Sequence, residues 1–194
     1  MIQGVSPYDQ LKKWIDDFIG SETESSLPMV LSTLADNGYP DSRVVFFKGW
    51  KDHHLTFYTN YLSAKGNQID KNLKVCLNFY SRVLQKQIRI QGNARKLNSK
   101  DSDQYFNSRS FESKISATVS KQSSVLDSYD GFIKNLEKKE QELKSKNVER
   151  PSYWGGYEVE PVSIEFWHQQ PHRRHRREVW IKKDLLWETF LLYP

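Results

Sequence analysis

The N-terminal part of the chain has large apolar side chains at helical spacing, followed by a polar stretch. The apolar positions recur every three or four residues, at Tyr8, Leu11, Trp14, Ile15 and Phe18. Ser6 is of a residue type that caps helices, and Pro7 suits the first helical turn. The pattern therefore predicts an amphipathic helix that ends at a polar break over residues 20–26.

Beyond this break the pattern changes to short runs rich in β-branched and aromatic residues, which are typical of strands. The predicted strands span residues 29–34, 42–48, 55–59, 75–80, 84–97, 163–167 and 177–182. The first two are separated by Asp36, Asn37 and Gly38, a combination that favours a tight hairpin turn.

Three further helices are predicted between the strands, over residues 63–71, 99–108 and 128–146. The last is long and charged with a thin apolar stripe, which indicates a solvated outer face. Because the helices fall irregularly between the strands, an antiparallel barrel with helical additions is favoured over a parallel βαβ array. We therefore expect one mainly β domain with helices, spanning residues 1–194.

Composition narrows the class of protein. The 194 residues include 29 Lys and Arg against 24 Asp and Glu, a formal net charge of +5 that favours anionic partners. Aromatic residues make up 13% of the chain, which argues against intrinsic disorder. The single cysteine, Cys76, excludes an intramolecular disulfide and a multi-cysteine zinc site, and fits a cytoplasmic protein. The sequence has no long apolar run and no basic stretch followed by an apolar one near Met1, so neither a membrane-spanning helix nor a secretory signal is expected.

Familiar catalytic signatures are missing from the sequence. It contains neither of the glycine-rich phosphate-binding motifs of dinucleotide-binding and P-loop proteins, nor the nucleophile elbow of α/β-hydrolases. The five histidines lack clear metal-ligand spacing with carboxylates, so no metal site is expected. Any enzymatic chemistry is therefore expected to come from a bound cofactor.

Several cationic residues lie close to hydroxyl-bearing ones, a combination that can bind phosphate. Ser63 can cap a helix whose first turn contains Lys65. Tyr105 and Arg109 are four residues apart on a predicted helix, where they would share a face, with Ser113 a further four along. An ordinary helix cap and solvated surface charges remain open alternatives for each group taken alone.

Arg43 and Lys48 bracket one predicted strand, so simple alternation places them on opposite faces. They can share a site only at a bulge, or where the strand lies between two binding regions. Otherwise both are solvated charges at the ends of a strand.

The most basic stretch of the chain spans residues 172–177, and a nucleic-acid or polyanion patch is its simplest interpretation. If this stretch is extended, Arg173, His175 and Arg177 point one way and the two arginines between them point the other. One face can then line a pocket while the second faces water.

A series of short motifs, each weak alone, runs in order along nearly the whole chain, from about Leu11 to Pro194. The motifs are Arg43-Val-Val-Phe-Phe-Lys48, Phe57-Tyr-Thr-Asn60, Ser63-x-Lys65, Gln85-Lys-Gln87, Tyr105-Phe-x-Ser-Arg109, Val119-Ser-Lys-Gln-Ser-Ser124, Tyr153-Trp-Gly-Gly156, Ile164-Glu-Phe-Trp167 and Arg173-x-His175-x-Arg177. Their ordered co-occurrence resembles the pyridoxamine 5′-phosphate oxidase family.

The resemblance implies an FMN-binding split β-barrel that assembles as a homodimer, with active sites at the subunit interface. The C-terminal part, about residues 151–194, would form the dimerisation and substrate region. Members of the family oxidise pyridoxamine or pyridoxine 5′-phosphate to pyridoxal 5′-phosphate. Oxygen reoxidises the flavin and yields hydrogen peroxide, and the amine substrate also releases ammonia. The implied partners are FMN, the phosphorylated substrate, O₂ and a second copy of the chain, with no nucleic acid and no membrane.

The resemblance also implies roles for individual residues. FMN phosphate would be held by Arg43 and Lys65. The rest of the cofactor site would comprise Lys48, Tyr58, Thr59, Gln87, Gln122, Ser123, Trp167 and Arg177. The substrate phosphate would be bound by Lys48, Tyr105, Arg109 and Ser113. Arg173 and His175 would lie over the pyridine ring as the catalytic pair, while the flavin accepts a hydride from the substrate.

The chain departs from the family pattern at several positions. Ala64 stands where arginine is common, so one contact to the FMN phosphate would be missing. Arg176 replaces the acidic residue that is usual between the family's histidine and arginine. A typical Gly-Ala-Trp is replaced by residues 116–118, and the usual terminal arginine is missing from residues 191–194.

Two other kinds of function stay open at this point. One keeps the flavin and changes the substrate, as in related oxidases of phenazine biosynthesis. The presence of the phosphate-binding residues Lys48, Tyr105, Arg109 and Ser113 argues against that alternative. The other is a non-catalytic protein, either a flavin or pyridoxal-phosphate carrier or a nucleic-acid binder that uses the basic stretch. Nucleic-acid binding would weaken steeply with salt and would be independent of flavin.

Overall fold

Nine strands and five α-helices are found in the part of the chain that the computed structural model describes, residues 6–21, 26–144 and 146–194. The strands are β1 (Pro28–Leu34), β2 (Pro40–Phe46), β3 (Trp50–Lys51), β4 (His54–Asn60), β5 (Lys74–Ser81), β6 (Lys86–Lys96), β7 (Trp154–His168), β8 (Arg176–Lys183) and β9 (Leu186–Leu192). The helices are α1 (Tyr8–Ser21), α2 (Ala64–Lys71), α3 (Ser99–Asn107), α4 (Phe111–Val119) and α5 (Tyr129–Leu143), and a 3₁₀ turn covers Pro171–Arg173.

The strands form one antiparallel sheet in the order β2-β1-β5-β6-β7-β4-β3, with β8 added to β7 and β9 added to β8. β2 and β3, the ends of the main path, are not hydrogen-bonded to each other, so the sheet is not closed. The segment after β2 nevertheless reaches β4, because Lys48 donates its backbone N–H to the carbonyl of Thr56. The predicted mainly β fold with helices is confirmed.

Strand β7 is long because it changes partners along its length. Residues 154–159 pair with β4, whereas residues 163–168 pair with β8, and β6 runs beside both parts. A register shift between Gln91 and Gly92 of β6 lies near the changeover. Glycine is needed there, since a Cβ on Gly92 would lie 2.5 Å from the carbonyl oxygen of Glu160. Only the second half of β7 was predicted, because two glycines and a proline weaken the strand pattern of the first half.

The central strands present opposite faces to the core and to the outside. Four residues that point inward, Ile88, Ile90, Ile164 and Phe166, are at most 2% exposed. Leu11, Ile15 and Phe18 of α1 are fully buried in the same cluster, as the helical spacing predicts. The other face, called the outer face below, carries Gln87, Arg89, Glu165 and Trp167 on β6 and β7.

A smaller apolar cluster joins the later helices to the start of β7. Its buried members are Phe106, Ile115, Ala117, Val148 and Trp154. Helix α5 packs against α4 through partly buried leucines and has no buried residue, in agreement with the predicted solvated face. The helix ends at Leu143, three residues before the predicted end at Lys146.

Several local signals in the sequence are confirmed at the level of single hydrogen bonds. Ser6 Oγ accepts from the N–H of Tyr8 at 3.2 Å, at the start of α1. The predicted hairpin turn joins β1 to β2, and Asn37 Oδ1 accepts from the N–H of Tyr39 at 3.1 Å. Part of the predicted polar break, residues 22–25, lies outside the described residues.

Helix α4 and strand β9 were not predicted. α4 is rich in Ser, Thr and Val, which favour helices only weakly. It forms because Ser110 caps it and because Ile115 and Ala117 are buried. β9 exposes most of its side chains and buries only Trp187, so it lacks the alternation of a half-buried strand.

Two further observations concern membranes and metals. Within residues 6–21, 26–144 and 146–194, no helix combines the length and the apolar character needed to cross a bilayer. The same residues contain no group of three or more His, Cys, Asp or Glu side chains arranged to hold a metal ion.

The close approach of α2 to the end of β4 generates a testable prediction. A Cβ on Gly66 would overlap the backbone carbonyl group of Tyr61. We expect G66A to lower the free energy of unfolding by roughly 1–3 kcal/mol, because the helix must shift to relieve the overlap. Urea unfolding measures the change. G20A is the matched control, since nothing lies within 4 Å of its added Cβ. Equal stability of the two variants would contradict the packing described here.

Candidate functional site

A cavity of about 520 Å³, called the main cavity below, opens where the end of β2, strand β4 and the α3–α4 region meet. It is lined by Val44, Val45, Phe46, Lys48, Tyr58, Thr59, Lys65, Tyr105, Arg109, Ser110, Ser113, Gln122 and Trp154. Many residues singled out in the sequence, from separate motifs, therefore lie around one space.

At one end of the main cavity, the ammonium group of Lys65 is buried among neutral oxygens. Its Nζ donates to Thr59 Oγ1 at 3.3 Å, to Ser63 Oγ at 3.3 Å and to Gln122 Oε1 at 3.2 Å. Burial, and then the charge of Arg43, lower the pKa of Lys65 to about 8. A buried cation surrounded by neutral acceptors is a position that a bound anion would complete.

The N-terminus of α2 shapes this end of the cavity. Ser63 is its N-cap, accepting from the N–H of Gly66 at 3.4 Å and donating its hydroxyl to the Asn60 carbonyl at 2.7 Å. The predicted cap, with Lys65 in the first turn, is therefore confirmed. The positive end of the helix dipole adds to the charge of the lysine.

Arg43 lies behind this end and does not line the main cavity. Its guanidinium donates to Thr33 Oγ1 at 2.5 Å and to Gln68 Oε1 at 3.2 Å, and it pairs with Asp41 at 2.5 Å. Its charge still reaches Lys65, where it lowers the pKa. These three side chains were not singled out in the sequence, because they meet only when β1, β2 and α2 pack together.

At the other end of the cavity, Arg109 lies close enough to Lys48 for its charge to affect the ionisation of the lysine. Burial, and then the charge of Arg109, lower the pKa of Lys48. Burial also lowers the pKa of Arg109, whose guanidinium carbon lies 4.5 Å from the centre of the Trp154 ring. The Nη1 atom of Arg109 is buried and has no hydrogen-bond partner among the described residues. Two like charges and an unpaired donor make this end a second candidate anion site.

The position of Lys48 follows from the path of the chain after β2. Phe47 donates its backbone N–H to Leu27 beside β1, and the next residue, Lys48, donates to Thr56 of β4. The chain therefore passes from one strand partner to another between these two residues. Lys48 lines the cavity together with Val44 and Phe46, whereas Arg43 does not, so the two cations lie on opposite sides of this segment, as alternation predicts.

Aromatic rings form the wall near Lys48 and Arg109. Tyr58 and Tyr105 are stacked with ring centres 3.8 Å apart, and Tyr58 is stacked 5.8 Å from Trp154. Burial raises the pKa of Tyr58 to about 12 and raises the pKa of Tyr105 as well. Both hydroxyls therefore keep their protons at neutral pH and can donate hydrogen bonds to an anion. Trp154 had no role in the sequence analysis, although it lies in one of the motifs.

The prediction that Tyr105 and Arg109 share one helix face is wrong. Helix α3 ends at Asn107, and α4 begins after its N-cap Ser110, so Arg109 lies in the short link between the two helices. Both residues still line the cavity because the chain turns at this link. Ser113, in the first turn of α4, accepts a hydrogen bond from the Ser110 hydroxyl at 3.0 Å.

A second cluster of predicted residues lies on the outer face. Gln87, Trp167 and Arg177 are direct neighbours across β6, β7 and β8. The ring of His175 is tilted against that of Trp167 with centres 4.7 Å apart. Arg177 Nε donates to Glu165 Oε1 at 2.7 Å.

The stretch before β8 is not extended, so the alternation of Arg173, His175 and Arg177 expected for an extended segment does not apply. The 3₁₀ turn places His172 and Arg173 at positive φ values of 56° and 58°, and β8 begins only at Arg176. Arg173 is exposed, whereas His175 is half-buried and its Nδ1 accepts from a backbone N–H. Positive φ at two consecutive residues other than glycine is strained and requires support from the surrounding structure.

The structure thus separates the predicted residues into two groups. Within the described residues of this one chain, the lining of the main cavity includes none of Arg43, Gln87, Ser123, Trp167, Arg173, His175 and Arg177. Ser123 follows the cavity residue Gln122 on an exposed loop, with a φ of 72°.

Two family models match the chain. One, described as pyridoxamine 5′-phosphate oxidase, covers residues 15–141. The other, described as the pyridoxine 5′-phosphate oxidase C-terminal dimerisation region, covers residues 154–194. The chain belongs to the pyridoxamine 5′-phosphate oxidase family. The resemblance inferred from the motifs is therefore confirmed.

Individual members of this family are similar over nearly the whole chain. The pyridoxine/pyridoxamine 5′-phosphate oxidase of Legionella pneumophila strain Lens is 41% identical over 188 residues, which cover 97% of this chain and 87% of the relative. The crystal structure of PhzG from Burkholderia lata 383, in complex with tetrahydrophenazine-1-carboxylic acid, has a TM-score of 0.90 and 26% identity, and the match covers 97% of this chain and 93% of PhzG.

A third relative bears on the fold. The crystal structure of a pyridoxamine 5′-phosphate oxidase-related, FMN-binding protein from Nostoc punctiforme PCC 73102 has a TM-score of 0.77 at 18% identity. The match covers 98% of this chain and 100% of that protein. The predicted split-barrel fold of the family is confirmed by these structural matches, with the sheet left open.

The buried ammonium group of Lys65 generates a prediction about stability and pH. We expect K65M to be more stable than the wild type at neutral pH, with a free energy of unfolding higher by roughly 1–3 kcal/mol, because the variant buries no charge. Folding lowers the pKa of Lys65 from 10.5 to about 8, so the unfolded chain binds the proton more tightly. Wild-type stability therefore rises between these two pH values, and the advantage of K65M shrinks.

Urea unfolding of ligand-free protein at neutral and alkaline pH measures this difference. K71M is the matched control, since Lys71 is an exposed lysine at the end of the same helix. An equal gain in stability for K71M, or a gain for K65M that does not change with pH, would contradict a buried charge at Lys65.

Proposed function

We propose that this protein is a cytoplasmic, FMN-dependent oxidase that converts pyridoxamine or pyridoxine 5′-phosphate to pyridoxal 5′-phosphate. O₂ is the electron acceptor and hydrogen peroxide a product, and the amine substrate also releases ammonia. Membership of the family supports the reaction class. The observation that carries the proposal is a single cavity with a cationic group at each end, Lys65 at one and Lys48 with Arg109 at the other. A cofactor and a substrate that each carry one phosphate match this arrangement.

The residues around Lys65 fit the phosphate of FMN. The donors are the buried ammonium of Lys65, a threonine hydroxyl and the N-terminus of α2. None of the atoms that accept hydrogen bonds from this ammonium is charged. Val44 and Phe46 also line the cavity, with exposed apolar side chains that suit an aromatic ring system. When bound, FMN would supply the hydride acceptor.

Residues from several elements would contact the cofactor. Lys65 holds the phosphate, and Arg43 contributes the positive charge that it adds behind Lys65. The remaining contacts come from Lys48, Tyr58, Thr59, Gln87, Gln122, Ser123, Trp167 and Arg177. Ala64 contributes no charge next to Lys65, so the chain relies on fewer cations at this phosphate.

The opposite end of the cavity binds the substrate phosphate. Lys48 and Arg109 repel each other when the site is empty, and a phosphate dianion relieves that repulsion. The protonated hydroxyl of Tyr105 and the hydroxyl of Ser113 add directed donors. Arg173 and His175 lie over the pyridine ring and stabilise the charge that develops there. The protein thus orients the reacting carbon, and none of its side chains forms a covalent bond to the substrate.

The separation of the two residue groups supports a homodimer with shared active sites. Gln87, Trp167 and Arg177 lie on the outer face of β6–β8, with His175 against Trp167, and none of the four is in the cavity lining of the same chain. The C-terminal family match is described as a dimerisation region and includes β7, β8 and β9. In the proposed dimer, the outer face of one protomer completes the cavity of its partner.

An oxidase of phenazine-type substrates is the second candidate, and the similarity to PhzG is the observation that favours it. A carboxylate could pair with Arg109 as a phosphate does. The pair of cations at Lys48 and Arg109 matches a dianionic phosphate better than a monoanionic carboxylate. The requirement for a phosphate therefore separates the two candidates.

Turnover of FMN-reconstituted protein tests the proposed function. Pyridoxamine 5′-phosphate and pyridoxine 5′-phosphate are supplied separately under O₂, and pyridoxal 5′-phosphate and peroxide are followed. Unphosphorylated pyridoxine is the control substrate. We expect product from at least one phosphorylated substrate and little from the control. Bound FMN without product would reject the B6 phosphates as substrates and favour the second candidate, which a phenazine-type substrate then tests. FMN binding without oxidation of either class of substrate would indicate a carrier.

The substrate end of the cavity gives a mutational prediction. We expect R109M to raise the KM for the phosphorylated substrate by roughly 10–100-fold, because a partly buried phosphate loses a charged partner. R95M is the control, since Arg95 is an exposed arginine on β6. An unchanged KM in R109M would remove Arg109 from the phosphate site.

The cofactor end gives a parallel prediction with a different readout. We expect K65M to weaken FMN binding by at least about tenfold and to leave riboflavin binding nearly unchanged, because only FMN carries the phosphate. Quenching of flavin fluorescence measures both affinities, and K71M again serves as the control. Equal weakening for the two flavins would place Lys65 away from the phosphate.

A further inference from the structure

Glu165 is a buried carboxylate on the outer face of the sheet. It lies in β7 between the inward-pointing Ile164 and Phe166, and alternation turns its side chain away from the core. Its exposure is nevertheless only 4%. An acidic side chain this deeply buried needs charged partners.

Two arginines from the neighbouring strands supply those partners. Arg177 Nε on β8 donates to Glu165 Oε1 at 2.7 Å, and Arg89 on β6 binds Oε2 in a short ion pair. Burial alone would raise the pKa of Glu165, but the hydrogen bond from Arg177 and the charges of both arginines lower it overall. The carboxylate is therefore ionised at neutral pH, and each of its oxygens is occupied by one guanidinium.

These contacts restrict the side chain of Arg177. Its Nε is bound by Glu165, and its Nη1 donates to the backbone carbonyl of Tyr193 at 3.3 Å. Among the described residues, Nη2 has no hydrogen-bond partner, so this one nitrogen of the guanidinium stays available. Arg177 lies directly beside Trp167, which is followed across the sheet by Gln87.

We propose that Glu165 is a positioning residue that fixes the guanidinium of Arg177 for contact with the flavin. This inference rests on the proposed function, in which Arg177 belongs to the cofactor site. Arg89 balances the charge of Glu165 from the opposite side, so the carboxylate stays ionised while the Nη2 group of Arg177 stays free to bind a ligand. A flexible arginine would lose rotational freedom about several bonds on binding FMN. An arginine already held by Glu165 loses less conformational entropy.

E165Q tests this role, since it keeps the shape of the side chain and removes the charge. We expect the dissociation constant of FMN to rise about tenfold. The dissociation constant of riboflavin is measured as well, because riboflavin lacks the phosphate and the comparison shows whether the affected contact is to the phosphate or to the rest of the flavin. E160Q is the matched control. Glu160 lies on the same strand and also pairs with two cations, Lys182 at 2.8 Å and Arg95 at 3.8 Å, but it does not contact Arg177. E160Q should lower stability and leave flavin affinity unchanged.

A double-mutant cycle distinguishes positioning from a general loss of stability. We expect R177M to weaken FMN binding, and E165Q to have no further effect in the R177M background, because its influence passes through Arg177. Additive effects of the two substitutions would overturn the proposal. So would an E165Q variant that binds FMN as tightly as the wild type.

A second variant covers the case in which E165Q leaves Arg89 buried without a partner and fails to fold. E165Q/R89M removes the carboxylate and one of its two cations together, and R89M alone serves as its control. We expect weak FMN binding in the double variant and nearly normal binding in R89M. Normal binding in both would overturn the proposal. Wild-type protein that binds no FMN would instead reject the proposed function.

Discussion

The change of partners along β7 is the constraint on which both parts of the candidate site depend. The first residue of the strand, Trp154, lies against Arg109 in the main cavity, whereas Glu165 in the second half lies on the outer face. The two halves are joined near the register shift at Gly92, where a side chain would collide with the carbonyl of Glu160. One irregularity in the backbone thus determines how the two clusters are placed on a single chain.

Charge is distributed differently in these two clusters. In the main cavity, Lys65 has only neutral hydrogen-bond acceptors, and Lys48 lies near a second cation. This arrangement destabilises the empty protein and strengthens anion binding, because the ligand supplies the missing negative charge. On the outer face, the protein supplies that charge itself, since Glu165 pairs with both neighbouring arginines. Among the described residues, Lys65, Lys48 and Arg109 have no carboxylate partner where a phosphate is proposed to bind, although Arg43 behind Lys65 pairs with Asp41. On the outer face, Arg177 is paired with a carboxylate because it must be held in place.

Most of the fold could be predicted from the sequence because its signals are local. Helical spacing identified α1, the hairpin turn identified the β1–β2 pair, and a serine cap before Lys65 identified the start of α2. The candidate residues were found through ordered motifs, and their family is confirmed by the comparisons. The roles of these residues remain predictions, because the motifs give positions in the chain and not contacts.

The rest could not be predicted, because it depends on contacts between distant segments. Helical spacing placed Tyr105 and Arg109 on one helix, yet both reach the cavity only because the chain turns between α3 and α4. Strand alternation failed before β8, where two residues at positive φ form a turn. Glu165 illustrates the same limit, since alternation correctly assigns it to the outer face and would predict an exposed side chain. Its burial follows from the register that sets it beside Arg89 and near Arg177, and the proposed role follows from that burial.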